Sequence, residues 1–503
     1  MKPILTRIIS HSGLIGFFAV LAILSTVFHQ PIQIIDALTS EPVPGFGIHI
    51  SAWRLLFEPF TGPLLFYLRA DQPALEFAVL LLWILALSLV VTLGRLFLKN
   101  NSRKGQNEGR DQIERGSESK LAGLLFWLKT APLIVATWLG LLWLIIYIPM
   151  PANRIVNQQE HTILINTHSH TEYSHDGIIS TKGLQKWHKK NGYDAFFITD
   201  HNHHQKTMEA VKAQEQGLLP EAPLLMVGEE YSGSNHMTLL GLTRNFITRG
   251  LTDQQVIDST HDDNGVVIVA HWFDGERESI PFFLGMGVDG FEIANQADGL
   301  TYERRIFKDI TEACMSNGLI MNGAADYHGY GSSCFVWNAL EIPGWHQMDP
   351  EQKRESIMQV LRQRDMTRIT VLLYNDRNTF DRSRVLLSPP YTIVSYFRTL
   401  NTIQLLSWFL WLVLLAILGT RLAKRIKGNV CFRTMQAVAL TSTVFLLVNG
   451  TVLNLRARSL TEYNDIYTEY STIMLWCGAG FLIYSFILIF IELRRRRSRK
   501  ISA

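Results

Sequence analysis

His168 and His170 stand two residues apart at the end of the apolar run TILINT, Thr162 to Thr167. Residues i and i+2 of a strand face the same side, so imidazoles at this spacing can chelate one ion. The arrangement recurs along the chain. YDAFFIT, Tyr193 to Thr199, ends in Asp200-His201-Asn202, and Pro223 to Val227 ends in Gly228-Glu229-Glu230. His236 opens the apolar run MTLLGL, and VVIVA, Val266 to Ala270, ends in His271. GFEIA, Gly290 to Ala294, ends in Asn295, and Leu319 to Ala324 leads into Asp326-Tyr327-His328. One or two such residues are ordinary on a solvated surface, but a series of buried strands ending in His, Asp or Glu reads as a ligand set. Mixed imidazole and carboxylate donors suit Zn²⁺, Mn²⁺ or Fe²⁺ and are too nitrogen-rich for Ca²⁺ or Mg²⁺. Asp200, Glu292 and Asn295 are candidates for orienting ligands or substrate from behind, with strand-end capping as the alternative. Lys206, Arg304 and Arg305 are candidate phosphate clamps, because a guanidinium fork matches phosphate oxygens. A solvated helix face is the alternative for at least one of these arginines.

The elements that must position these residues follow from the same runs. Helical stretches such as Gly183 to Gly192 and Arg305 to Asn317 separate several of the strands. Strands alternating with helices predict a parallel sheet covered on both faces. Polar ligands at the C-terminal ends of strands are where a β/α barrel keeps its active site.

The segments HSHTEYSHDG, ITDHNH, VGEEYSG, VAHW, DGFEIAN and GAADYH, in this order, resemble the motif set of the PHP (polymerase and histidinol phosphatase) superfamily over roughly His161 to Tyr374. The resemblance implies a distorted seven-stranded β/α, TIM-like barrel that binds two or three divalent transition-metal ions. It implies that His168, His170, Glu230 and Asp326 hold a first ion. Glu230 would bridge to a second, completed by His236 and His271, and Asp176, His201 and His328 would hold a third. Either His175 or Asp176 of the first motif could be the ligand. The offset of eight from His168 to Asp176 matches family members with a ligand there. In Gly228-Glu229-Glu230 the family's glutamate corresponds to Glu230, and Trp272 stands where the family usually has proline. Glu230, Asp176 and His201 are the expected catalytic residues. Relatives cleave phosphorylated metabolites, phosphotyrosine on proteins or nucleotide chains, so the implied activity is hydrolysis of phosphate mono- or diesters without a choice among them.

The chain around this block is of a different kind. Of 503 residues, 47% are hydrophobic and only 18% charged, and the apolar runs gather at both ends. A net charge of +3 argues against a nucleic-acid binder. A hydrocarbon core of roughly 30 Å needs about 20 apolar residues. Six spans are expected: Ile8 to Phe28, Phe77 to Gly94, Thr130 to Met150, Thr402 to Thr420, Thr434 to Leu455 and Ser471 to Ile491. Basic residues cluster in the segment 100–120, between Arg421 and Lys427, and from Arg494 to Lys500. All three lie on one side if there are six spans, and that side is expected to be cytoplasmic. Arg456 and Arg458 are a weaker contrary signal. The apolar, proline-interrupted stretch His49 to Leu68 is expected to lie in the interface or to re-enter rather than to cross.

The expected domains are therefore an N-terminal membrane region (1–150), an extracytoplasmic metallohydrolase domain (151–397) and a C-terminal membrane region (398–503). The protein is expected to be integral to a bacterial inner or plasma membrane, acting on a phosphorylated substrate, with lipid or envelope-polymer phosphates suggested by the setting. Two other classes are a metal-binding sensor without turnover and a transporter with an accessory domain. A complete ligand set weighs against the first. The scarcity of charges within the spans weighs against the second. Cys314 and Cys334 fall in the central block, and pairing between them is not expected.

Overall fold

The computed structural model describes residues 2–69, 73–104, 127–128, 130–143, 145, 148, 150–272, 278–297, 304–331, 333–378, 382–425, 430–460 and 464–501. Its strands are β1 (Gln33–Asp36), β2 (Phe46–His49), β3 (Arg154–Asn157), β4 (Thr162–Asn166), β5 (Ala195–Ile198), β6 (Leu224–Ser232), β7 (His236–Leu240), β8 (Val266–Val269), β9 (Gly290–Asn295), β10 (Ile320–Ala324), β11 (Val336–Glu341) and β12 (Ile369–Asn375). Ten of them form one curled sheet in the order β1-β12-β11-β4-β5-β6-β7-β8-β9-β10, while β2 and β3 pair separately. The central runs AFFI of β5 and VVIV of β8 are buried at every residue, as strands covered on both faces must be.

The expected seven-stranded barrel is corrected to this ten-stranded sheet. Seven strands, β4 to β10, match the runs that end in or open on candidate ligands. The other three, β1, β11 and β12, carry none, and β1 comes from residues 33–36, far before the rest. The parallel expectation holds for β4-β5-β6 and β8-β9-β10 only. A tight Gly233–Asn235 connection makes β6 and β7 antiparallel, and β7 with β8 and the β4-β11-β12-β1 edge are antiparallel too. Near the seam, Asn338 of β11 accepts from Gly323 N–H and donates to Gly323 C=O of β10, each at 2.7 Å. A side-chain amide thus takes the place of a backbone partner. A Cβ on Gly323 would collide with Val336, so glycine permits this approach.

The helices of the chain are α1 (Lys2–Thr26), α2 (Ala52–Leu56), α3 (Glu58–Leu68), α4 (Pro73–Lys104), α5 (Thr130–Trp143), α6 (Thr181–Lys190), α7 (Gln205–Glu215), α8 (Asp253–Asp262), α9 (Ile280–Met286), α10 (Arg304–Asn317), α11 (Pro350–Arg362), α12 (Ser388–Arg398), α13 (Thr402–Arg425), α14 (Val430–Ser459) and α15 (Asp465–Ile501). Local chemistry sets several starts. Ser180 accepts from Gly183 N–H at the head of α6, and capping boxes Thr252–Gln255 and Asp349–Gln352 open α8 and α11, each meeting donors that a helix cannot satisfy itself.

Among the described residues, three helices are long and apolar enough to cross a membrane: Leu75–Gly94, Gln436–Ser459 and Asp465–Phe490. Residues Arg384–Arg398 and Thr402–Leu418 form a pair bent by 114° that also qualifies if taken together, and Gly13–Thr26 and Thr130–Trp143 are shorter apolar helices. The stretch 49–68 folds as β2 and the short helices α2 and α3. Arg69, directly after it, bonds to Asp376, and Gln30, ahead of β1, donates to the Arg398 carbonyl. The basic segment 105–120 lies outside the described residues. Cys314 and Cys334 are both buried and unpaired.

Candidate metal centre

Backbone pairing beyond the strand ends gathers the ligand types. The residues after β4 pair with those after β10: His168 C=O accepts from Asp326 N–H at 2.9 Å, and His170 N–H donates to Tyr327 C=O at 3.0 Å. An isolated parallel bridge joins His201 to Glu230. Sidedness therefore follows from register, and His168, His170, His201, Glu230 and Asp326 emerge at one edge. Asp326 (φ 44°), His271 (φ 26°) and Asn202 (φ 55°) sit in the left-handed region, an unfavourable backbone state that surrounding structure must hold in place.

Three donor groups result: His168, His170, Glu230 and Asp326; His170, Asp176, His201 and His328; and His201, Glu230 and His236. Within each, the donor atoms lie within 4.8 Å of one another. His271 joins through Glu230, its Nε2 being 3.1 Å from Oε1. Relative to the sequence expectation, His170 and His201 are each shared between two groups. Of the pair His175 and Asp176, Asp176 enters the cluster, while His175 stays 44% exposed. Glu229 turns the other way, to His204 and Thr248.

The hydrogen bonds behind the rings fix their tautomers. His168 Nδ1–H donates to Glu292 at 2.7 Å, His170 Nδ1–H to Ser174 Oγ at 3.3 Å, and His328 Nδ1–H to Asp326 C=O at 2.8 Å. His201 Nδ1 faces Ser232 Oγ. All four Nε2 atoms then face into the cluster, where each can ligate an ion once deprotonated. His168 Nε2 lies 3.0 Å from His170 Nε2 and 2.9 Å from Glu230. His201 and His328 Nε2 each lie 3.0 Å from Asp176 Oδ2. Imidazole nitrogens packed against carboxylates call for positive charge between them, as protons or as a bound ion, and this donor set fits divalent transition ions.

Charge tells the same story. Burial opposes a charge on His170, but hydrogen bonds to Asp326 and Glu230 outweigh it and push its pKa up to about 10. Burial raises the carboxyls of Asp176 and Asp326, yet neighbouring imidazoles hold both well below the usual carboxylate range. The pocket favours bound positive charge. Glu292 supports it from behind, also accepting from His271 N–H at 2.9 Å and from Asn295 at 3.0 Å. Asp200 accepts from Thr171 N–H at 2.6 Å and from its hydroxyl at 2.7 Å.

A cavity of about 420 Å³ opens beside His201, lined also by Tyr173, His175, His203, Arg249 and Asp465. Arg249 is the arginine at this site. Arg304 and Arg305 lie on the exposed first turn of α10, with Arg305 91% exposed and 3.9 Å from Asp309. Lys206 pairs with Glu209 at 2.9 Å, its ammonium 5.7 Å from the Tyr173 ring centre. None of these three lines the cavity. Sequence reasoning passed over Arg249, which sits in no strand-end motif, and Ser174 and Ser232, which sit inside two of the motifs but are not themselves ligand types. It also passed over residues from the far end of the chain. Asn464 donates to the carbonyls of Ser174 at 2.8 Å and Gly177 at 2.7 Å, and Arg456 pairs with Glu172.

No family model and no curated protein matches the chain. Solved structures do overlap with it. A two-domain protein from Bacteroides vulgatus, containing a predicted PHP-like metal-dependent phosphoesterase, is 16% identical with a TM-score of 0.33; the match covers 42% of this chain and 65% of that one. The chain thus spans less than two thirds of that protein's length. PsfC from Pseudomonas syringae is 13% identical at a TM-score of 0.31, covering 47% of this chain and 98% of its own. An amidohydrolase from Chromobacterium violaceum with bound sulfate is 14% identical at 0.27, covering 38% and 96%. With likeness this low, the functional reading rests on the chain's own residues.

Proposed function

We propose that this chain is a metal-dependent hydrolase of phosphate mono- or diesters, acting at the extracytoplasmic surface of a membrane. The observation that carries the reading is the convergence of four imidazole Nε2 atoms and the carboxylates of Glu230, Asp326 and Asp176 beside a cavity lined largely by polar groups. His168, His170, Glu230 and Asp326 would hold one ion; Glu230, His236 and His271, with His201, a second; and Asp176, His201 and His328, with His170, a third. Divalent ions bound there would neutralise charge on a phosphoryl group and make water a better nucleophile. The protein's own groups do the rest. Glu230, His170 and His201 each serve two donor groups and set their spacing. Ser174, Ser232 and Glu292 lock the rings. Arg249 faces the cavity as the group to orient phosphate oxygens, and His175 stands where it can pass a proton to a leaving oxygen.

The test is a panel of phosphate mono- and diesters with the full chain in detergent, loaded in turn with Mn²⁺, Zn²⁺ and Fe²⁺. The full chain is needed because β1 belongs to the sheet. Metal-dependent turnover abolished by chelator is expected. Tight metal binding with no turnover of any ester would favour the sensor reading instead.

A further inference from the structure

The cluster has a second flank. A cavity of about 230 Å³ is lined by Asp326 and His328 together with Leu68, Pro73, Tyr330 and Phe335, with Gln296 and Ser333 also at its edge. Leu68 ends α3 and packs with Tyr67, Phe77 and Ile145 in an apolar cluster of the membrane region. Pro73 begins α4, two residues before the apolar span Leu75–Gly94. The cavity of about 420 Å³ beside His201 is lined in part by Asp465, the first residue of the apolar span Asp465–Phe490. The contact there is close: Asp465 N–H donates to His175 C=O at 2.8 Å. The ligand cluster therefore borders two cavities that each reach the start of a long apolar helix, one lined mostly by polar groups and the other partly by apolar ones.

We infer, resting on the phosphoesterase reading, that the substrate is a membrane-resident amphiphile: a lipid phosphate whose phosphoryl group meets the cluster while the start of its apolar chain lies against Leu68, Pro73, Tyr330 and Phe335. A soluble phosphorylated metabolite has no use for an apolar wall beside the ligands. It would also have to reach a site pressed against the helix ends. A lipid in the same leaflet arrives with its phosphate at this level. The polar cavity with Arg249 and His203 then takes the part of the molecule that faces water. Hydrolysis at this site transfers the phosphoryl group to water, breaks the P–O ester bond, and leaves the proton on the departing alcohol oxygen.

The experiment uses the full chain in nanodiscs with Mn²⁺ and compares dibutyryl, dioctanoyl and dilauroyl phosphatidic acid with para-nitrophenyl phosphate. Because each buried methylene contributes to binding, kcat/KM should rise by about ten-fold or more from the shortest to the longest acyl chain. Leu68→Trp, at a lining residue that is not itself a ligand, adds bulk to the cavity and should lower the ratio of dilauroyl to para-nitrophenyl turnover by roughly ten-fold, with metal content as the check on folding and on the ligands. Turnover that is flat across the acyl series overturns the inference while leaving the phosphoesterase reading intact. Equal losses on both substrates in Leu68→Trp also overturn it. Turnover of no ester at all overturns the phosphoesterase reading, and this inference with it.

Discussion

Glu230 is the residue on which the cluster turns. Its two carboxylate oxygens face different partners: Oε2 lies 2.9 Å from His168, and Oε1 lies 2.7 Å from His236. Removing it leaves imidazole lone pairs facing one another with no shared anion. Glu230→Ala should drop activity to background and reduce bound metal, measured by elemental analysis of the purified chain; full metal content would show that Glu230 does not bridge. Arg249 is a different kind of residue, exposed and at the cavity rim. Loss of a charge-assisted hydrogen bond is worth about 1.5–3 kcal/mol, so Arg249→Ala should lower kcat/KM by roughly ten- to a hundred-fold, mostly through KM, while Arg304→Ala should change little. The contrast marks what was legible in sequence. His168, His170, His201 and Asp326 announce themselves because a strand fixes where its last residues point. Arg249 follows β7 on a loop, and no periodicity tells which way a loop side chain turns. Lys206 and Arg305 have the right chemistry, but each sits on a helix beside its own acid, Glu209 or Asp309.

Between elements, the sheet edge is held by side chains that seven apolar runs could not reveal. Helix α6 presses His188 against Phe196 of β5, their rings parallel within 9° at 3.9 Å. His188 Nδ1–H donates to Leu184 C=O at 2.9 Å, and its Nε2 accepts from Asn166 at 3.0 Å. Asn166 in turn donates to His168 C=O at 2.8 Å, so a buried ring supports the first ligand strand. Burial lowers the His188 pKa to about 3. The folded state thus refuses a proton that the unfolded chain takes up below its ordinary value near 6.5. Stability contributed by this ring is complete at neutral pH, falls as pH drops below about 6.5, and levels off near 3. Linkage puts the loss at about 2 kcal/mol by about pH 5. Thermal melts of wild type and His188→Phe across that window should show a shallower acid slope in the variant; parallel slopes would mean that His188 is already charged in the fold. The hairpin of α14 and α15 acts on the site similarly. Asn464 spans the loop from Glu172 to Gly177 that carries Asp176, a loop so tight that a Cβ on Gly177 would collide with the Thr171 carbonyl. Asn464→Ala strips those carbonyls of their donor and should weaken metal binding by roughly ten-fold, as loss of ligand support does. Chelator competition measures it, and unchanged affinity would make the hairpin a passive neighbour. Neither Asn464 nor Arg456 could be assigned to the site from sequence, because some 290 residues separate Asn464 from Ser174.

For the whole molecule, the decisive prediction is which side of the membrane holds the sheet. Basic residues cluster in 100–120, between Arg421 and Lys427, and from Arg494 to Lys500. Orientation follows Lys and Arg in short segments near span ends, and a long domain adds no contrary information. The fold bears on how many times the chain can change sides. After α1, Gln30 N–H donates to Arg398 C=O at 3.0 Å, and Arg69, just before α4, pairs with Asp376 at 2.6 Å. The intervening stretch, including α2 and α3, thus begins and ends against the domain, as a re-entrant or surface segment does. Met150 C=O accepts from Lys190 of α6 at 2.7 Å, and Arg456 and Asp465 meet Glu172 and His175. Helix ends on the domain side therefore alternate with the basic segments. Arg456, the contrary charge in the sequence, is drawn to that side by Glu172. A reporter active only outside the cytoplasm should work when the chain is truncated and fused after Arg382, and be silent when fused at Gly105. The reverse result would place the cluster in the cytoplasm, put the tail from Arg494 outside against the charge rule, and leave a lipid phosphate of the inner leaflet as the substrate to test first.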